Sequence, residues 1–290
     1  MPSRRTTTLL LAALLLAACG FGGKGASGPS TAATPAPPSR LALVIGNAAY
    51  VGAPVLKNPV NDANDLCAAL RRLEFEVMCH IDLRDRAAFE AAVERFVARL
   101  GPATVGLFYF SGHGVQAGGA NYLVPTQVAA SYRTAAEAVR ALYGVEGLLE
   151  QLGRRPAQLR LVVLDACRTD LFAGSATAEL SRALGDRGLA AASGLAPIRH
   201  TPEDTFIFYA TGSGEAAYDG EGRNGPLTKH VLANLRTPAQ PISSFFTAVI
   251  RGVQTDTARA FKHKQTPYIY GSYAGRFCFA GCDREIDGPR

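Results

Sequence analysis

Uninterrupted apolar strands constrain this chain more than any other feature. Leu41 to Ile45, Val105 to Phe110 and Leu159 to Leu164 read as strands without a polar face, and Thr205 to Ala210 is nearly as apolar. A strand that is apolar on both sides must be covered on both sides, as in a parallel sheet held between two helix layers. The intervening segments supply the helices. Asn61 to Leu73 places Ala63, Leu66, Cys67, Leu70 and Leu73 at helical spacing, and Ala87 to Leu100 does the same with Phe89, Val93, Phe96, Val97 and Leu100. Val145 to Leu152, Leu227 to Leu235 and Ile242 to Thr255 are further helices. Phe75, Val77, Cys79 and Ile81 alternate as a half-buried strand, Tyr122 to Val124 reads as one arm of a small hairpin, and Pro267 to Tyr270 can close the sheet. Strands alternating with helices give the α/β class: a mostly parallel sheet of about six strands with helices on both faces. Only Arg168 to Asp204 is long and without clear periodicity.

The first 18 residues have a different design. Arg4 and Arg5 precede an apolar run from Leu9 to Ala18, the layout of a signal peptide. The run is shorter than the roughly 20 residues a bilayer span requires. Leu16-Ala17-Ala18-Cys19 resembles the lipobox of bacterial lipoproteins. That resemblance implies cleavage before Cys19 and lipid on its thiol and new amino terminus, an effectively permanent anchor. The expected location is the periplasmic side of a bacterial membrane, and Gly20 after the cysteine leans toward the outer one. From Gly20 to Ser39 the chain is Gly, Ser, Ala, Thr and Pro apart from Phe21 and Lys24, with no apolar face to bury, so residues 19–39 are expected to form a lipidated, disordered linker. The folded domain is expected to occupy 40–290.

Within that domain, 48% hydrophobic and 19% charged residues over the whole chain suit a soluble globular enzyme. The formal charge of +6 falls to +4 once Arg4 and Arg5 are removed. No run of Lys or Arg interleaves with aromatics, which argues against nucleic acid as a partner. A missing Gly-Lys-Ser/Thr motif excludes a P-loop enzyme, and a missing Gly-x-Ser-x-Gly elbow disfavours a serine hydrolase.

Two polar tetrapeptides sit at carboxyl ends of apolar strands, where open α/β sheets bind ligands. Ser111-Gly112-His113-Gly114 follows one strand and Asp165-Ala166-Cys167-Arg168 follows the next long apolar one. A histidine beside a cysteine stabilises the thiolate, lowers its pKa below about 8.5 and later protonates the leaving amine. The amides of Gly114 and Cys167 are candidate oxyanion donors.

The two motifs, with roughly 50 residues between them, resemble those of the caspase superfamily. Supporting matches run from Arg40-Leu-Ala-Leu-Val-Ile-Gly-Asn-Ala-Ala-Tyr50, through Asn61-Asp62-Ala63 and Arg187-Gly-Leu-Ala190, to Asn224-Gly225 and Thr228. The resemblance implies the caspase–hemoglobinase fold and a cysteine endopeptidase acting on a protein or peptide, with His113 as general acid/base and Cys167 as nucleophile. Animal caspases carry Gln two residues before the nucleophile; here Asp165 stands there, as in metacaspases. The positions that match the metacaspase specificity pocket are Asp62, Ser111 and Asp165. Two carboxylates in a partly dry pocket favour a guanidinium, so cleavage after Arg, and less well after Lys, is expected. A catalytically silent binding or scaffold module on the same fold is the alternative.

The loop from Arg168 to Asp204 lies where caspases are cut into two subunits, and Arg182, Arg187 and Arg199 are candidates for self-cleavage. No acid cluster matches the calcium site of some metacaspases, so neither calcium nor another cofactor is expected. Cys278 and Cys282 flank a Phe-Ala-Gly turn and are a disulfide candidate; Cys67 and Cys79 are either bridged or two buried thiols. The sequence fixes no oligomeric state.

Overall fold

The structure, a computed structural model, describes residues 39–51, 53–117, 119–127, 135–167, 198, 200–212, 217–218, 220–261 and 264–283. The signal segment, Cys19 and the linker through residue 38 lie outside them, as do Arg182, Arg187 and Arg199.

The elements follow in chain order: β1 (Ser39–Gly46), α1 (Pro59–Arg72), β2 (Glu76–Ile81), α2 (Arg86–Val97), β3 (Thr104–Ala117), β4 (Ala120–Leu123), α3 (Ala135–Ala141), β5 (Tyr143–Gly144), α4 (Val145–Gly153), β6 (Leu159–Cys167), β7 (Thr205–Tyr209), α5 (Pro226–Asn234), α6 (Ile242–Ala260) and β8 (Tyr268–Ser272). The main sheet has the order β2-β1-β3-β6-β7-β8. Its first five strands are parallel and β8 closes it antiparallel to β7. β4 and β5 form a small antiparallel flap on the far end of β3. The α/β class and the mostly parallel sheet of about six strands stand as expected from the sequence.

Alternation along each strand divides the core in two. Ala42 and Val44 of β1, Val105, Leu107 and Tyr109 of β3, and Leu161 and Val163 of β6 face α1, α5 and α6, meeting Leu66, Leu70, Val231, Phe245, Phe246 and Val249. Leu43 and Ile45, Phe108 and Phe110, and Val162 and Leu164 face α2 and α4, meeting Phe89, Val93, Phe96, Leu148 and Leu152. The parity matters below, because it sends Ser111 and Asp165 to the α1 side.

Two boundaries differ from the sequence reading. Ser39 belongs to β1 and not to the linker: it pairs with Thr104, and the two hydroxyls lie 2.9 Å apart. β3 and β6 also run past their apolar stretches, to Ala117 and Cys167, so the two polar tetrapeptides are themselves strand. Backbone pairing between the two strands continues where apolar patterning stops. Gly46 is dictated by packing: a Cβ there would stand 2.3 Å from the Pro59 carbonyl oxygen at the start of α1. The structure bonds Cys67 of α1 to Cys79 of β2, and Cys278 to Cys282.

Candidate active site

The register of β3 and β6 brings the two motifs side by side. Ser111 pairs with Asp165, Gly112 with Ala166 and His113 with Cys167. The positions proposed from sequence as base and nucleophile are therefore facing partners at the carboxyl end of the sheet, where β1, β3, β6 and β7 finish together.

His113 is buried and held from several directions. Its Nε2 lies 2.7 Å from the carbonyl oxygen of Pro54, in the loop between β1 and α1. With that nitrogen as donor, the tautomer is set by a backbone acceptor. Its backbone N–H donates to the hydroxyl of Tyr50 at 2.8 Å, and its carbonyl accepts from the Val124 N–H at 3.0 Å. The Asn47 side chain knits three loops around this point: its Nδ2 donates to the Val124 carbonyl and its Oδ1 accepts from the Leu83 N–H. Tyr50, Pro54 and Asn47 carried no chemical signal in the sequence. A carbonyl has none, and a tyrosine hydroxyl or asparagine amide acquires its meaning only from what folds against it.

Gly114 falls next to the His113–Val124 step of the β3–β4 ladder. Hydrogen-bonding direction alternates along a strand. Ser111 gives its carbonyl to Asn47 and His113 gives its own to Val124, both on the β1 side. The Gly114 N–H consequently points toward β6.

Beneath the end of the sheet lies an acidic cluster that the parity of β3 and β6 assembles. Asp62, in the first turn of α1, is buried; its Oδ2 accepts from Ser111 Oγ at 3.1 Å and its Oδ1 from the Gly225 N–H at 3.0 Å. Gly225 caps α5, so the helix end adds a favourable dipole for the carboxylate. Asp165 is also buried and accepts from Thr228 Oγ1 at 2.6 Å, while Tyr109 contacts the same threonine hydroxyl. Burial, and then the charge of Asp165, push the Asp62 carboxyl up to about 8, against the hydrogen bonds from Asn224, Gly225 and Ser111.

A third aspartate, missed in the sequence, fixes the wall of this cluster. Asp65, one turn along α1, receives both Arg223 Nε and Nη2, at 2.8 and 2.9 Å, and Asn224 Nδ2 at 3.0 Å. The Gly220–Gly225 loop is thus tied to α1 through three successive residues, Arg223, Asn224 and Gly225. The signal available was an i, i+3 pair of acids facing an Arg-Asn-Gly, which only the fold relates. On the other rim, buried Gln265 spans the segment after β7, donating to the Ala210 carbonyl and accepting from the Tyr218 N–H.

Among the described residues no group of three or more His, Cys, Asp or Glu is placed to hold a metal ion. No helix among them is long and apolar enough to cross a membrane. A cavity of about 920 Å³ opens elsewhere, along α4 toward the amino ends of β6 and β7; its lining among the described residues includes Glu146, Arg160, His200 and Asp204.

Residues 39–277 match the model of the caspase domain. A stretch of 129 residues is 32% identical to the mucosa-associated lymphoid tissue lymphoma translocation protein 1 of Homo sapiens and to its homolog in Mus musculus. That stretch is 44% of this chain and 15% of each relative. Among solved structures, caspase-1 from Spodoptera frugiperda superposes with a TM-score of 0.58 over 83% of this chain and 92% of its own, at 16% identity, and so shares the fold. The motif register, the sheet and the family match converge, and the chain belongs to the caspase-domain family of cysteine peptidases.

Proposed function

We propose that this chain is a cysteine endopeptidase that cleaves after Arg, and less well after Lys, from a lipid anchor on Cys19. The observation that carries the catalytic part is the pairing of His113 with Cys167 across the ends of β3 and β6. His113 takes the thiol proton, the thiolate attacks the scissile carbonyl, and the amides of Gly114 and Cys167 stabilise the oxyanion. The same imidazole then protonates the leaving amine. Water hydrolyses the acyl-enzyme and frees Cys167. The Pro54 carbonyl stabilises the imidazolium through Nε2.

Specificity rests on Asp62 and Asp165, with Ser111 orienting the first. Two buried carboxylates at the floor of a pocket attract a guanidinium, whose fork can engage both, and repel an acidic side chain. An ammonium is a point charge and satisfies fewer acceptors, which places Lys second. Membrane attachment rests on Leu16-Ala17-Ala18-Cys19 alone.

The test is a peptide chloromethyl ketone ending in Arg, incubated with the full chain and followed by mass mapping. The adduct is expected on Cys167 and absent from the Cys167→Ala chain. Label on any other residue, or none on Cys167, sinks the proposal.

A further inference from the structure

We propose that Tyr50 is a positioning residue for His113, its hydroxyl acting as a wedge that sets the backbone of the histidine. The proposal rests on the peptidase reading above.

The β3–β4 ladder pairs Gln116 with Asn121, Val115 with Tyr122 and Gly114 with Leu123. The next step pairs His113 with Val124. A hydrogen-bonded antiparallel pair exchanges two N–H···O bonds. Here one of them is direct, from the Val124 N–H to the His113 carbonyl at 3.0 Å. The return bond is relayed. The His113 N–H donates to Tyr50 Oη at 2.8 Å, and that hydroxyl donates to the Val124 carbonyl at 3.3 Å. One oxygen atom therefore stands between β3 and β4, on the side of His113 away from β6.

Three further observations fit a wedge better than a core tyrosine that happens to find a partner. The Tyr50 ring lies against the imidazole, with centroids 4.4 Å apart. A Cβ on Gly112 would stand 2.5 Å from Tyr50 Oη, so the glycine before the histidine leaves the room that the hydroxyl occupies. Tyr50 and Pro54 also lie on one loop, so a single segment grips both the backbone and the ring of His113. Without the hydroxyl, His113 and Val124 can close to a direct bond, which draws the histidine toward β4 and away from Cys167.

Tyr50→Phe keeps the ring and removes the hydroxyl that makes the relay. Hydrolysis of a fluorogenic peptide ending in Arg by the full chain should lose about 10- to 100-fold in kcat, the scale of a misplacement of about 1 Å, with KM within about twofold. The melting temperature should fall by no more than a few degrees. A kcat within about threefold of the parent overturns the proposal. So does a parallel rise in KM, or a large fall in melting temperature, since either assigns Tyr50 to the pocket or the core. If the parent chain itself cleaves no such peptide, the peptidase reading fails separately. The wedge is then judged by NMR of the His113 ring: resonances displaced in Tyr50→Phe support it, and unchanged resonances overturn it.

Discussion

Replacing Asp62 with Asn should stabilise the protein while disabling its pocket, and the two effects can be separated by pH. Asp62 is held at about 8 by burial and by Asp165, whereas an unfolded aspartate titrates near about 3.9. Between roughly pH 4 and pH 8 the folded acid pair keeps a proton that the unfolded chain has released. The group's contribution to stability is therefore complete below about pH 4 and is lost as pH rises through about 8. One proton corresponds to about 1.4 kcal/mol per pH unit, or about 2.7 kcal/mol between pH 5 and pH 7. The amide of Asp62→Asn can accept from the Gly225 N–H through its oxygen and donate to Ser111 Oγ through its nitrogen, but cannot ionise. Urea unfolding of both chains at pH 5, 6 and 7 reads the difference of the acid pair directly, because titrations remote from the pair are common to the two and cancel. The difference in favour of the variant should grow by about 1.4 kcal/mol per unit. A difference that stays constant within about 0.3 kcal/mol over that range refutes the shared-proton reasoning. In the same variant, kcat/KM for an arginine peptide should fall about 100-fold, since a charged hydrogen bond is worth about 1.5–3 kcal/mol.

Other perturbations report on the surrounding parts. Asp65→Ala frees Arg223 and Asn224; because the pair is largely solvent-exposed, stability should change by less than about 1 kcal/mol, while KM for an arginine peptide rises several-fold and kcat holds. An unchanged KM would detach the Gly220–Gly225 loop from the pocket. Replacing Cys67 and Cys79 together by Ala should cost about 2–4 kcal/mol in urea unfolding; no loss would mean that α1 and β2 need no covalent tie. Cys19→Ala should move the protein from the detergent phase to the aqueous phase on cloud-point partitioning, and persistence in the detergent phase would contradict the lipid anchor.

The layers of this fold were legible because their signal is local. A strand buried on both faces is apolar at every position, and a helix repeats its apolar residues over a few turns. The proposed catalytic pair was legible for a related reason: His113 and Cys167 each come within a few residues of such an apolar stretch. Less visible was the extension of β3 and β6 through the polar tetrapeptides, since Ser111, His113 and Asp165 keep the pleat without its apolar pattern. The short helix α3 and the two-residue β5 carry too little periodicity to register. The supports of the site were not legible at all. Pro54 acts through a carbonyl, Tyr50 through a hydroxyl placed between two strands, and Asp65 through a loop more than 150 positions away. Such roles arise from juxtaposition, and one-dimensional spacing does not encode them.

The central claim is tested most directly by the rates at which the full chain hydrolyses two fluorogenic peptides that differ only in the residue before the cut, Arg in one and Asp in the other. The buried acids Asp62 and Asp165 predict a kcat/KM at least about 100-fold higher for Arg, equivalent to about 2.7 kcal/mol, and no turnover by Cys167→Ala. Comparable rates on the two peptides, or turnover that survives Cys167→Ala, would contradict it.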